Sequence, residues 1–155
     1  MDRDQAINTQ NGGYGYMIVR VTTARGAIPL EGATVTVHNY DPEFEKGRGD
    51  IIAVYTTGQS GLTERFALPA PPGALSMSPG NAKGYESYGL TVTKEGYYRQ
   101  EYVNVPIFEG ITAIQTADLI PLSDNGQTDN AIPDGTIIIE TENPNLESGS
   151  NNALE

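Results

Sequence analysis

The sequence predicts an all-β fold, a small seven-stranded sandwich, on three observations. Short runs rich in Val, Ile, Thr and Tyr alternate with period two, turn residues separate them at close intervals, and no helical period of useful length occurs. Composition agrees: 37% of the 155 residues are apolar, and 18 Gly with 10 Pro mark many turns around a small core. The expected organisation is one domain with flanking tails. Residues 1–13 form a polar, flexible arm, residues 14–122 the sandwich, and residues 123–155 an acidic tail with the composition of disorder.

Each element follows from its own residues. "YGYMIVRVT" (14–22) sets Met17, Val19 and Val21 on one side, the better core face. Gly26, Pro29 and Gly32 in "TARGAIPLEG" stop that strand and start "ATVTVHN" (33–39), where Ala33, Val35 and Val37 oppose Thr34, Thr36 and His38. "IIAVYTT" (51–57), "GQSG" and "LTERFAL" (62–68) read as a hairpin. "PAPPGALSMSPGNAKG" (69–84) is too rich in Pro and Gly for sheet, and a loop of that length calls for a reason. "SYGLTVTK" (87–94) sets Tyr88, Leu90 and Val92 in phase. "YYRQEYVNVP" (97–106) has no cleanly apolar parity, which predicts a bulge or an exposed edge. "TAIQTADLIPL" (112–122) supplies the last strand. Within the tail, "TIIIETE" (136–142) is β-branched between acids. Either it adds to a sheet edge, its own or a neighbour's, or it is an apolar stretch kept soluble by flanking charge.

Charge narrows the partners. The net charge of -11 is uneven: residues 1–122 hold thirteen acids against nine Lys or Arg, whereas residues 123–155 hold seven acids and no base. Phosphate backbones and anionic membranes are repelled by such a surface, so neither nucleic acid nor membrane is an expected partner. The absence of cysteine excludes disulfides, thiolate nucleophiles and Cys-type zinc sites. The longest apolar runs fall far short of the roughly 20 residues of a membrane helix, and the first twenty residues lack signal-peptide order. Localisation is left open on those grounds.

Few residues suit catalysis. His38, the single histidine, sits opposite the core valines and reads as a surface imidazole. Ser60 in "GQSG" lacks the Gly-x-Ser-x-Gly spacing of a nucleophile elbow and reads as a turn residue. In "NYDPEFEKGRGD" (39–50), Asp41, Glu43, Glu45 and Asp50 have a spacing that suits Ca²⁺, but Gly47 is out of register and Ile52 stands where the bidentate acid belongs. A solvated charged loop is the default there, and no metal or other cofactor is expected. Arg48, Gly49 and Asp50 spell an adhesion tripeptide too short to weigh.

Tyrosine is the remaining binding material, with four in residues 87–106. Tyr88 and Tyr97 fall on packing positions. Tyr98, Gln100, Tyr102 and Asn104 share one parity, a polar-aromatic face that makes them the candidate interaction surface, since tyrosine buries a rigid ring while keeping a hydroxyl.

Several motifs carry a resemblance. "GAIPLEGATVTV", "TTGQSGLTERFALPAP", "SYGLTVTKEGYY" and "VNVPIFEGITAIQTADLIPL" resemble the carboxypeptidase regulatory-like, transthyretin-like Greek-key β-sandwich, through Pro29, Gly32, Ala33, Gly58, Gly61, Leu68, Pro69, Tyr88, Val92, Gly96 and Tyr97. "LPAPP" and the loop after it are similar, more weakly, to the N-terminal non-catalytic module of clostridial spore cortex-lytic enzymes. The first resemblance implies no catalytic residues. The related Cna-B branch carries a Lys-to-Asn isopeptide from its first strand, but this chain offers only Lys46, Lys83 and Lys94, in or beside loops, so none is expected. The implied function is a non-catalytic bacterial structural or protein-interaction module in a spore, cell-envelope or virion assembly, with a protein partner or self-assembly through an edge strand or loops. The alternative is a carbohydrate- or peptidoglycan-binding accessory domain that meets cell-wall glycan through Tyr98, Tyr102 and the 69–84 loop. An enzyme is not expected.

Overall fold

The computed structural model describes residues 13–43, 48–73, 84–122 and 136–140. They form nine strands and no helix: β1 (Gly13–Thr23), β2 (Ile28–Pro29), β3 (Thr34–Tyr40), β4 (Arg48–Thr56), β5 (Phe66–Ala70), β6 (Glu86–Thr93), β7 (Arg99–Ile107), β8 (Thr112–Leu119) and β9 (Thr136–Glu140). In one sheet β1 is central, antiparallel to β2 and β5 at opposite ends of one edge and parallel to β8 along the other. The second sheet runs β4-β3-β6-β7-β9, antiparallel except where β9 lies parallel to β7.

Period-two alternation explains why two such sheets stack. Met17, Val19 and Val21 of β1, Leu68 of β5, and Ala117 and Leu119 of β8 are buried, as are Val35 and Val37 of β3, Leu90 and Val92 of β6, and Val105 and Ile107 of β7. Each large aliphatic side chain so placed contributes about 1.5–3 kcal/mol. Tyr88 is buried among them and Tyr97 packs against them in part.

Two strands beyond the seven expected are β2, a two-residue pairing with Thr22 and Thr23, and β9. β9 pairs with its own chain, Gln100 opposite Ile137 and Tyr102 opposite Ile139, and Ile139 packs against the core. The hairpin expected from 51–57 and 62–68 does not form, because the two runs lie in different sheets. Thr57 ends the second-sheet pairing: its N–H donates to Ala33 O, and its hydroxyl accepts from Ala33 N–H and donates to Leu30 O. Thr63 then joins β1, with its N–H to Val19 O and its Oγ1 accepting from Val19 N–H. Each threonine thus satisfies backbone groups on both sides of a crossing.

Pro69 and Ala70, expected in a loop, end β5 by pairing with Tyr14 and Gly13. Of the expected 69–84 loop, residues 74–83 lie outside the described residues, as do the arm at 1–12 and the tail at 123–135 and 141–155. Among the described residues, no helix is long and apolar enough to cross a membrane.

Candidate functional site

The outer face of the five-stranded sheet gathers charged and hydroxyl side chains that the alternation turns away from the core. Register fixes their rows. Thr36 of β3 lies opposite Thr91 of β6, which lies opposite Glu101 of β7, while His38 sits two residues along β3. Arg48 reaches this face through an irregularity in β4: His38 pairs with Ile51 and Tyr40 with Arg48, so two β4 residues match one β3 residue. A bulge of this kind bends the strand and re-aims its side chains.

Glu101 is the anchor. It is 4% exposed, and its Oε1 accepts from Arg48 Nη2 and lies 3.2 Å from Arg99 Nη2. A buried carboxylate needs such pairing, because removal from water without a counter-charge costs several kcal/mol. The guanidiniums stay partly in water, with 38% and 42% of their side-chain surfaces exposed. Their stems cover what would otherwise be an open sheet face.

Beneath them lies His38, 5% exposed. Its Nε2 shares a 2.9 Å hydrogen bond with Thr91 Oγ1, and its Nδ1 is buried without a hydrogen-bond partner. A cleft of about 470 Å³ opens over this floor, walled by Arg48, Asp50, Ile51 and Arg99. The surface imidazole expected from the sequence is therefore corrected: the outward parity is right, but two arginines distant in sequence cover the ring.

Burial, then the positive charges of Arg48 and Arg99, hold the His38 pKa below its ordinary 6.5. The imidazole is neutral at pH 7, as a group that gives or takes a proton at one nitrogen must be. The hydrogen bond between Thr91 Oγ1 and His38 Nε2 pairs a hydroxyl with an imidazole, as a nucleophile and its base are paired. Among the described residues no carboxylate holds Nδ1, so the third member of a triad is missing.

The lowered pKa has a consequence for stability. Below 6.5 the unfolded chain binds a proton at His38 before the folded chain does, so stability falls as pH drops through 6.5 toward the lowered folded value. Unfolding by urea between about pH 7.5 and 5.5, above the ordinary carboxylate range, is expected to show this loss in the native protein and a flatter profile in His38→Gln. Equal slopes would mean that His38 is not buried neutral.

The residues expected to form an interaction surface are placed differently. Gln100 and Tyr102 are buried at 3% and 4% exposure, while Tyr98 and Asn104 are half-buried. Two of the four thus leave the candidate surface. The cause is an irregularity opposite Tyr88–Leu90, at Asn104, whose φ is 63°. It switches the phase of β7, so Gln100 and Tyr102 face the core on one side of it and Val105 and Ile107 on the other. The buried polar groups satisfy each other: Tyr102 donates to Gln100 Oε1 at 2.7 Å, and Gln100 Nε2 donates to Asp118 O at 2.8 Å. Burial and the nearby Asp118 push the Tyr102 phenol up to about 12.

The stretch 39–50, expected as a solvated charged loop, is strand at both ends. Asn39 and Tyr40 belong to β3, and Arg48–Asp50 to β4. Asp41 Oδ1 accepts from Glu43 N–H, an ordinary local turn, while Glu45 lies outside the described residues. Among the described residues no three His, Cys, Asp or Glu side chains group as a metal site would require.

No protein-family model matches the chain, and no curated protein matches it in sequence. Solved structures do. Catechol 1,2-dioxygenase from Acinetobacter sp. ADP1, inhibited by bound mercury, matches with TM-score 0.48 and 13% identity over 83% of this chain and 59% of that one. Catechol 1,2-dioxygenase from Acinetobacter radioresistens matches with TM-score 0.44 and 13% identity over 89% and 60%. The intradiol ring-cleavage dioxygenase from Tetranychus urticae matches with TM-score 0.43 and 11% identity over 71% and 82%. The chain thus spans about three-fifths of the length of the two catechol dioxygenases. These neighbours are enzymes, and on that finding the expectation of a non-catalytic structural or interaction module, with its glycan-binding alternative and its exclusion of enzyme activity, is withdrawn. A likeness at this identity and TM-score says nothing about what this chain acts on.

Proposed function

We propose that the chain binds a small polar molecule in the cleft on the outer face of its five-stranded sheet, with His38 exchanging a proton with that molecule. One observation carries the reading: a buried neutral imidazole, bonded through Nε2 to Thr91 and with an unpartnered buried Nδ1, belongs to the lining of an open cleft. A buried polar atom without a partner is destabilising by about 1–3 kcal/mol, which marks the position for a purpose other than stability.

The test uses the fact that the chain has one histidine. Its imidazole Hε1 resonance is followed at pH 7 while acetamide, ethylammonium, acetate and inorganic phosphate are each titrated into the full chain. At least one probe is expected to move the His38 signal saturably, and Thr91→Val is expected to alter that response. A His38 signal indifferent to every probe would overturn the reading.

The sandwich itself we read as transthyretin-like, with Greek-key connectivity. Support comes from the seven core strands: β5, β1 and β8 make one sheet, and β4, β3, β6 and β7 the other, so the chain crosses between sheets four times and turns back within one sheet twice. An experimental structure with another strand order would remove this reading.

A further inference from the structure

We propose that the molecule taken by the cleft carries an oxyanion, a carboxylate or a phosphate, and that Arg99 and Arg48 are its recognition residues. This rests on the reading of the cleft as a small-molecule site and adds the ligand's chemical class.

The argument is a count of donors against acceptors. Each guanidinium carries five N–H donors and no acceptor. Among the described residues, the acceptor that both reach is the same atom, Glu101 Oε1. Arg99 Nε is moreover buried with no hydrogen-bond partner, although the head group of the same side chain reaches solvent. Nε–H is closed to solvent, so what the cleft offers an acceptor is the solvent-reaching part of the two guanidiniums. A guanidinium grips carboxylate and phosphate through two parallel bonds, which a single ammonium cannot do.

Charge points the same way. Two guanidiniums stand over one buried carboxylate, leaving an excess positive charge where the face is partly dry. Asp50 lines the cleft too, but it is exposed, and among the described residues no ion pair joins it to either arginine. Neutral His38 adds no charge of its own to the lining. A cationic ligand would meet two arginines on the lining against the single unpaired carboxylate of Asp50. A neutral one would leave the excess charge unmatched.

The experiment follows His38 Hε1 and the Arg99 Nε–Hε resonance in the full chain at low ionic strength, where surface charge is least screened. Inorganic phosphate and acetate are titrated in separate arms, with acetamide and ethylammonium as controls. Saturable shifts of both signals with phosphate or acetate are expected, and whichever arm saturates at lower concentration assigns the oxyanion. Arg99→Gln is expected to weaken that binding about tenfold or more. Arg99→Lys, which keeps the charge but lacks the planar edge, is expected to weaken it about three- to tenfold. Unchanged methyl signals from Val35 and Leu90 in each variant exclude unfolding as the cause. If acetamide or ethylammonium moves His38 and neither anion does, the oxyanion assignment fails while the small-molecule reading stands. If anions bind equally well to Arg99→Gln, the assignment to Arg99 is overturned. If nothing moves His38, both fall.

Discussion

Replacing Arg48 and Arg99 together by methionine is expected to destabilise the protein by about 3–5 kcal/mol at pH 7, read as a drop in the urea midpoint at unchanged slope. The asymmetry of burial is the reason. Glu101 has 5% of its side-chain surface exposed, against 38% and 42% for the two arginines. Removing the arginines strands a buried charge, whereas removing the carboxylate releases cations already half in water. Glu101→Gln is therefore expected to cost no more than about 1–2 kcal/mol, since exposed ion pairs contribute little. Adding Glu101→Leu to the double variant should recover most of the loss, because apolar side chains of similar volume often replace buried ion networks without penalty. A double variant within about 1 kcal/mol of the native protein would show that Glu101 reaches water, and the cleft as described would not exist.

The same asymmetry explains what could be read from the chain in advance. Over 17–21 in β1 and 35–37 in β3 every second residue is apolar, so alternation names Met17, Val19, Val21, Val35 and Val37 as core, and the structure buries them. The mixed parity of 97–106 predicts a bulge or an exposed edge, and the irregularity is there, but its position at Asn104, and with it the phase of β7, was not legible because neither Gly nor Pro marks it. Read at constant phase, Gln100 and Tyr102 form a polar outer face. With the switch they are core, and each satisfies the other's polar group.

The candidate site was hidden for a different reason. His38 was identified as outward-facing, but nothing local says that an outward residue is covered. The cover comes from Arg48, ten positions on, and Arg99, sixty-one positions on, through a bulge and a ladder that exist only after folding. One signal was present. Arg99 and Glu101 share a parity with Thr91 across a predicted strand pair, which turns a charged pair toward the histidine of the neighbouring strand.

Gly61→Ala is the second large effect expected, about 2–5 kcal/mol by the same denaturation measurement, from two independent penalties. The backbone at Gly61 has φ of +77°, where any side chain costs about 1–2 kcal/mol. In addition, a Cβ there would stand 2.5 Å from Val21 O and 3.0 Å from Pro29 Cβ, and such overpacking costs about 1–3 kcal/mol. Neither neighbour can give way freely, because Gly61 O accepts from Val21 N–H at 2.7 Å and Val21 O accepts from Leu30 N–H at 2.9 Å. Gly96 separates the penalties: its φ is +88°, but nothing lies within 4 Å of an added Cβ. Gly96→Ala should therefore cost only the conformational part, about 1–2 kcal/mol. Equal losses at the two positions would mean that the turn at 58–61 does not press against β1.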